Sequence, residues 1–297
     1  ALKYTESDMN KIRNTLREVG DMNDDNMIII PNAQNDEVRI AFQEIINAIQ
    51  TRASKQNENT VFIFYYSGHA DEQGLHLRGS FLEHTGLARL IDEVPATIKI
   101  AVLDSCNSGA IVNLKGAKKV AMFPQKIDSE LTMSGTIMVT SSGQNEYSQE
   151  SEELKGSFFT HHFVSALRGA ADLDNDNQIS LDEAYRYSYQ KTILSTLHAR
   201  GGVQHPAITN KIVGGGEVIL SNFAYNIGFL HLPEDLAGSF FVTDNRESQI
   251  FAEVNKDEGE IRKIALAPGE YLVKWKEKNH IKKQSIEIER NAEISLS

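Results

Sequence analysis

Apolar and polar positions follow two different periods along the chain, and the change falls near residue 222. Before it, continuous apolar runs such as Val61–Tyr66 and Ile98–Leu103 alternate with segments of helical period. Such runs are typical of strands buried on both faces of a parallel sheet. Helices are predicted over 5–19, 36–53, 82–93, 156–169 and 180–200, and strands over 27–30, 61–66, 98–103, 136–140 and 217–220. This alternation predicts an α/β fold with a mostly parallel sheet flanked by helices, which the strand 217–220 closes.

The second predicted helix shows its inward face most clearly. Its apolar positions are Ile40, Phe42, Ile45, Ile46 and Ile49. We expect all five to face the core.

After residue 222 the pattern changes to short alternating segments separated by turns. Strands are predicted over 228–232, 238–243, 249–254, 261–266, 270–276 and 282–288. This spacing is typical of an all-β module of sandwich type. The predicted domains are therefore 1–222 and 223–297, the first divided into a large part (1–112), a linker (113–135) and a small part (136–222).

Composition narrows the possible partners. The formal net charge is −11, and no basic run exceeds a Lys-Lys pair, so nucleic acid and anionic membranes are not expected as partners. No apolar stretch is long enough to span a bilayer, and the expected location is the cytoplasm. A single cysteine excludes an internal disulfide, so that residue must be explained by packing or by chemistry.

Two predicted strands end in polar clusters. His69 follows the first in Ser-Gly-His, and Cys106 follows the second in Asp-Ser-Cys-Asn-Ser-Gly. Ligands bind beyond the carboxyl ends of parallel strands, where the two side chains would meet if the strands are neighbours. An imidazole beside a thiol makes it a strong nucleophile. The structural alternative is a buried cysteine and a hydrogen-bonded loop histidine, but packing has little need for either residue at a strand end beside Gly and Ser.

These two motifs resemble those of the caspase, paracaspase and metacaspase superfamily, including its bacterial members. The resemblance covers residues 2–220. Further matches are Gly156–Thr160, before a small-subunit helix, and Gln204–Pro206, before the last strand. The resemblance implies a cysteine peptidase in which Cys106 attacks the scissile carbonyl and His69 protonates the leaving amine. The backbone N–H groups of Cys106 and Ala70 would stabilise the oxyanion.

The sequence departs from the family in two places. The family usually has Gly where Ala70 stands, and Ala is strained there if the loop requires a positive φ. The family also begins with a core strand before the first helix, and only Ala1, Leu2 and Lys3 remain of it here. That strand has either been cut off or lies outside this sequence.

Acidic residues near Cys106 predict which side chain a substrate would carry before the cut. Asp104 stands two residues before Cys106, and the resemblance adds Asp8 and Ser67 to the same specificity pocket. Carboxylates there favour proteins and peptides with Arg or Lys before the cut. The structural alternative for Asp104 is a strand-end cap.

An acidic loop at 172–183 matches the twelve-residue EF-hand pattern, with Asn177 in place of the turn glycine. We expect one calcium ion there, and the alternative is a solvated turn that caps the next helix. The expected ligands are Asp172, Asp174, Asp176, Gln178 through its carbonyl, Ser180 and Glu183.

The linker 113–135 has no sustained helical or strand period. In the resembling family this segment is often cut during activation, and a peptidase that prefers basic residues would find Lys118, Lys119 and Lys126 in it. We expect self-cleavage after one of these lysines, and the alternative is a surface loop that is never cut.

Two other functions stay open: an inactive caspase-like scaffold acting through its β module on an unknown protein partner, and a calcium-responsive interaction protein. His161 and His162 are adjacent on a predicted helix and should lie on different faces, which makes them a poor metal pair.

Overall fold

The structure is a computed structural model that describes residues 2–53, 60–106, 133–143, 146–199, 201–223, 227–277 and 280–296. The helices are α1 (Thr5–Val19), α2 (Asn35–Ala53), α3 (His84–Glu93), α4 (Phe158–Ser165) and α5 (Leu181–Thr196), with a 3-10 turn at Asp24–Asn26 and a π-helical turn at Ala166–Ala170.

The strands fall into two series. The first comprises β1 (Val61–Ala70), β2 (Gly74–Leu77), β3 (Ser80–Glu83), β4 (Ile98–Ser105), β5 (Gly135–Thr140), β6 (Glu150–Ser151), β7 (Gly156–Ser157), β8 (Gln178–Ser180), β9 (Ala207–Asn210) and β10 (Ile219–Asn222). The second comprises β11 (Gly228–Leu232), β12 (Gly238–Thr243), β13 (Ile250–Lys256), β14 (Arg262–Leu266), β15 (Gly269–Glu277), β16 (His280–Ile288) and β17 (Glu293–Ser295).

The contacts of the chain divide it into two compact units that interleave along the sequence. The first unit comprises Ala1–Met9, Ile28–Gln149 and Thr192–Gly216, and the second comprises Asn10–Met27, Glu150–Lys191 and Glu217–Ser297. The domain boundary that the hydropathy pattern suggests at 222 stays a prediction.

The first unit contains a six-stranded sheet in the order β3-β2-β1-β4-β5-β9. Among the described strands, β1 pairs with β4 and β4 with β5 in parallel, whereas the β1–β2, β2–β3 and β5–β9 pairs are antiparallel. The sheet is therefore mixed rather than mostly parallel. Parallel pairing is confined to the buried centre, and hairpin and edge strands complete it.

Helices α2 and α3 pack on this sheet through one apolar cluster that includes Phe42, Phe62, Leu87 and Leu103. The predicted inward face of α2 is wrong at Ile40, whose side chain is 58% exposed. Val38 takes the inward place because it lies four residues before Phe42, one helical turn away. Helix α3 begins at His84 rather than residue 82, because the residues before it pair as β3.

The strand predicted to close this sheet does not do so. Ile219–Asn222 pairs with β8 in a separate two-stranded sheet, and β9 forms the edge beside β5. A short apolar segment carries no information about which neighbour it pairs with, so the sequence could not separate the two arrangements.

The second unit contains the C-terminal strands in two sheets, ordered β14-β11-β17 and β13-β12-β15-β16. Leu230, Phe240, Val273 and Trp275 belong to a core cluster that also includes Ala170 of the π-helical turn. The predicted all-β region of short strands is confirmed, and most of its strand pairs are antiparallel.

A buried ion pair lies in the second unit. Arg168, on the π-helical turn, is 1% exposed, and its Nη2 lies 2.7 Å from Oε2 of Glu18 on α1. Its guanidinium also stacks over the ring of Phe251. Removing one partner of such a pair would leave a buried charge uncompensated, so the pair holds Glu18 against the π-helical turn.

Candidate active site

The two predicted catalytic residues stand at the carboxyl ends of adjacent parallel strands. In the β1–β4 ladder Ser67 pairs with Asp104 and Gly68 with Ser105, and His69 and Cys106 come next on the two chains. Paired residues of a parallel ladder project to the same side, and alternate residues share a face. The register therefore places His69 and Cys106 at one position of one sheet edge, with His69 exposed and Cys106 half-buried.

Tyr66 supports the backbone beneath His69. Its hydroxyl donates toward the carbonyl oxygens of His69 (2.8 Å) and His76 (3.1 Å). A Cβ added to Gly68 would lie 2.3 Å from the same hydroxyl oxygen, so any other residue at 68 would have to displace the Tyr66 ring. Burial raises the pKa of Tyr66, which keeps the phenol protonated as a donor.

The turn that follows His69 is held by Asp71. Its Oδ1 accepts from the N–H groups of Gln73 (2.8 Å) and Gly74 (3.1 Å), and its Oδ2 lies 2.6 Å from Nε2 of His76. Burial alone would raise the pKa of Asp71, but these hydrogen bonds hold it below its ordinary value. The buried His84 adds a contact from its Nε2 to the Asp71 carbonyl at 2.9 Å. His69 therefore stands on a braced hairpin.

Ala70 shows no sign of the strain expected if the loop needed a positive φ. It is the last residue of β1, has strand backbone and pairs with Leu75. The usual family glycine is thus not required by the conformation at this position.

Asp104 stands two residues before Cys106 and is 3% exposed. Its Oδ1 accepts from the Ser148 hydroxyl at 2.6 Å, and the Ser148 carbonyl lies 3.9 Å from the Cys106 sulfur. Ser67 is opposite Asp104 in the ladder, so both project to one face. Asp8 is also buried, in the first turn of α1. Ser148 was not found from the sequence, because its loop gives no periodic signal.

Gln204 fixes the segment that carries Ser148. Its Oε1 accepts from the Gln149 N–H at 3.0 Å, its Nε2 donates to the Ser141 carbonyl at 2.7 Å, and its own N–H donates to the Thr196 hydroxyl at 2.9 Å. The side chain is fully buried. Gln204, three residues before β9, is therefore a brace between the two ends of the Ser148 loop.

The family of this chain follows from its similarity to known proteins. The sequence profile of the caspase domain matches residues 1–212. This chain belongs to the caspase-domain family. Among solved structures, caspase-1 from Spodoptera frugiperda is similar to it, with a TM-score of 0.52 and 14% identity over 74% of this chain and 84% of that one. At this identity the likeness supports the fold alone. No curated protein sequence matches.

The family is one of cysteine peptidases, so the resemblance noted from the sequence is confirmed. In this caspase domain the expected nucleophile and base occupy the strand ends described above. The proposed cleavage lysines Lys118, Lys119 and Lys126 lie outside the described residues, as does most of the linker. No helix in the described ranges is both long and apolar enough to cross a bilayer.

The acidic loop of this caspase domain brings three carboxylates together. Oxygen atoms of Asp172, Asp174 and Asp176 lie within 4.8 Å of one another. Asn177 has a φ of 63°, the left-handed conformation expected where it replaces glycine. Burial and the neighbouring carboxylates Asp176 and Asp174 raise the pKa of Asp172.

The end of the loop is held by hydrogen bonds within the chain. The N–H and hydroxyl of Ser180 donate to Oε2 of Glu183 at 2.9 and 2.8 Å, which caps the start of α5. Gln178 lies in β8, and Ile179 between them is fully buried. The predicted ligand residues therefore all belong to this loop and the start of α5. The Glu183 carboxylate accepts hydrogen bonds from Ser180 at the helix cap.

Proposed function

We propose that this protein is a cysteine endopeptidase with Cys106 as nucleophile and His69 as its base. The single observation that carries the proposal is the β1–β4 register, which brings both residues to the same position of one sheet edge. An imidazole there can take the thiol proton, and after attack it can return that proton to the leaving amine.

The direction of the Ala70 N–H supports its role in the oxyanion site. The Asp71 N–H donates to the Gly74 carbonyl, so Asp71 and Gly74 form a hydrogen-bonded pair and Ala70 and Leu75 the next, non-hydrogen-bonded pair. The Ala70 N–H therefore points away from β2, toward the side of β1 on which Cys106 follows β4. It can act there together with the Cys106 N–H.

Substrates with Arg or Lys before the cut fit the electrostatics. Asp104 is a buried carboxylate two residues from the nucleophile, and Ser67 faces the same side. A cationic side chain would compensate that charge, whereas an acidic one would add a second negative charge. Asp8 is assigned to the same pocket by the family resemblance.

A fluorogenic peptide panel with Arg, Lys, Asp or Ala before the cut tests both parts of the proposal. We expect cleavage after Arg and Lys, no turnover by Cys106→Ala or His69→Ala, and full turnover by the exposed-site control His198→Ala. Labelling with a thiol-reactive peptide probe reports the same thiol independently. No turnover and no labelling of the wild type would favour the inactive-scaffold alternative instead.

The specificity claim has its own control. Asp104→Asn should lose most activity toward Arg and Lys peptides, while Asp92→Asn, at an exposed position, should not. Efficient cleavage after Asp with none after Arg would contradict the assignment while leaving the catalytic pair intact.

We also propose one calcium ion at the acidic loop. The clustered oxygens of Asp172, Asp174 and Asp176 support it, as do the left-handed turn at Asn177 and the Glu183 carboxylate next to Ser180. Hard oxygen ligands of this kind suit calcium. Binding would require Glu183 to exchange its cap hydrogen bonds for the ion, and the Gln178 carbonyl would add a ligand.

Calorimetric titration with calcium measures this directly. We expect one site in the wild type, a loss in Asp174→Asn, and no change in Asp235→Asn, an exposed control. No binding at about 1 mM calcium would refute the site, since even weak EF-hand-type sites fill near that concentration.

Self-processing in the linker completes the proposal. Mass spectrometry of purified protein should show a cut after Lys118, Lys119 or Lys126 that is absent from Cys106→Ala. An intact and fully active wild type would show that activity does not depend on such a cut. The protein partner predicted for the C-terminal strands and the cytoplasmic location stay predictions.

A further inference from the structure

Two adjacent histidines and a glutamate from a distant strand meet in the second unit. His161 and His162 lie on α4, and Glu253 lies on β13. One ligand atom from each lies within 4.8 Å of the other two. The sequence led us to expect the two histidines on different faces of the helix. Different faces do not keep the two rings from a common neighbour, because ligand atoms of both lie near the Glu253 carboxylate.

The contacts in this cluster are close. Nε2 of His161 lies 2.8 Å from Oε2 of Glu253, and the two imidazole rings stand edge to face with centroids 5.1 Å apart. The side chains of His161 and Glu253 are 2% and 15% exposed, and His162 is 1% exposed. Polar groups buried together in this way must satisfy one another or a shared partner.

We propose that His161, His162 and Glu253 bind a divalent transition-metal ion of the zinc type. Two imidazole nitrogens and one carboxylate oxygen form the donor set that zinc accepts, whereas calcium and magnesium prefer oxygen ligands throughout. Three protein ligands leave a fourth position for water. The ion would tie α4 to β13, and it is separate from the calcium loop and from the cysteine nucleophile.

Neighbouring hydrogen bonds hold the Glu253 backbone in place, and one further contact reaches its carboxylate. The Glu253 N–H donates to the Ser165 hydroxyl at 3.0 Å, and Tyr187 donates to the Glu253 carbonyl at 3.0 Å. The Asn255 amide lies 3.4 Å from Oε1 of Glu253. Such outer contacts orient the ligands before a metal arrives and are a common feature of metal sites.

A positive charge acts on the cluster from α5, where Lys191 lies. The ammonium group of Lys191 interacts electrostatically with both Glu253 and His162. This cation would compete with a metal for the carboxylate. Replacing it with an uncharged side chain of similar length should therefore tighten metal binding, which a purely structural ion-pair cluster does not predict.

The experiment uses the full chain with Cys106→Ala, which removes the thiol as a competing zinc ligand, in calcium sufficient to fill the acidic loop. Equilibrium dialysis with metal analysis should find one zinc per chain, and zinc should raise the melting temperature. Cobalt in place of zinc should give the intense visible spectrum of a four-coordinate ion with nitrogen ligands.

Matched variants assign the site. His162→Asn and Glu253→Gln should each weaken zinc binding by at least about tenfold. His280→Asn, at an exposed histidine of the same unit, should leave it unchanged, and Lys191→Met should strengthen it. If a ligand variant does not fold, the cobalt spectrum of the parent and the Lys191→Met comparison decide.

The proposal is overturned by the absence of stoichiometric zinc in the parent. It is also overturned by binding that persists in folded His162→Asn and Glu253→Gln, or by a cobalt spectrum typical of six oxygen ligands. Each of these results leaves the peptidase proposal untouched, because the parent already lacks the nucleophile.

Discussion

The Tyr66 hydroxyl occupies the space that a side chain at Gly68 would need. The same hydroxyl donates toward the carbonyl of His69, so the glycine at position 68 accommodates the tyrosine two residues before it. The Tyr66 hydroxyl therefore restricts the residue type at position 68 and also holds the backbone of His69.

Gly68→Ala should therefore displace either the Tyr66 ring or the His69 backbone. The nearest ring carbon would also lie only 2.5 Å from the new Cβ, so the side chain cannot yield by a small rotation. We expect a stability loss of about 1–3 kcal/mol and a fall in kcat/KM of about tenfold or more. Gly86→Ala in α3 is the control and should be neutral or stabilising, since its Cβ would meet only Leu82 Cδ1 at 3.4 Å. Equal behaviour of the two variants would contradict this account.

Ser148→Ala removes a hydroxyl that donates to the buried Asp104 at 2.6 Å. The carboxylate then loses one of its hydrogen bonds, and its orientation toward a cationic side chain loosens. We expect KM for Arg peptides to rise more than kcat falls, with a stability loss of about 1–3 kcal/mol. Ser148→Thr keeps the hydroxyl and should restore much of the activity. An unchanged KM in Ser148→Ala would argue against Asp104 in substrate binding.

Gln204→Glu tests the brace of the Ser148 loop. The substitution keeps the shape but places an acceptor oxygen against the Ser141 carbonyl, where the amide Nε2 now donates at 2.7 Å. In a fully buried position this should cost at least about 1–3 kcal/mol in unfolding experiments. Gln43→Glu, on the exposed side of α2, should change stability little. Similar denaturation midpoints for both variants would refute the brace.

His84 predicts a pH dependence of stability. Burial lowers its pKa below the ordinary 6.5, although the Asp71 carbonyl and charge act in the opposite direction. The folded state thus binds fewer protons than the unfolded state below pH 6.5, so stability is full above that pH and declines as the pH falls below it. His84→Gln keeps a donor for the Asp71 carbonyl but does not titrate. Urea unfolding from pH 7.5 to 5 should show a shallower decline in this variant, and parallel curves would contradict the assignment.

The strand-end positions of His69 and Cys106 could be predicted from the sequence because strand ends leave a local signature: a buried apolar run, then Gly or Ser beside a reactive side chain. The left-handed conformation of Asn177 could also be predicted, since few residue types tolerate a positive φ. Ile40 was not, because two helical faces are both compatible with the apolar spacing of α2, and only the position of the sheet chooses between them.

Contacts between distant segments left no such signature. Ser148 and Gln204 act through loops whose closure depends on the completed sheet, at separations of 44 and 63 residues from Asp104 and Ser141. His161 meets Glu253 across 92 residues. Helical geometry fixes the angle between adjacent side chains but says nothing about which strand will pack against them.

The ion pair of Glu18 with Arg168 has a consequence for synthesis on the ribosome. The partners are 150 residues apart. At a translation rate of about 5–20 residues per second, Glu18 is therefore synthesised roughly 8 to 30 seconds before Arg168. The core strands of the same unit come later still. Residues 10–27 thus emerge well before the other segments of their unit, and the nascent chain must keep this amphipathic segment from misassembly in the interval.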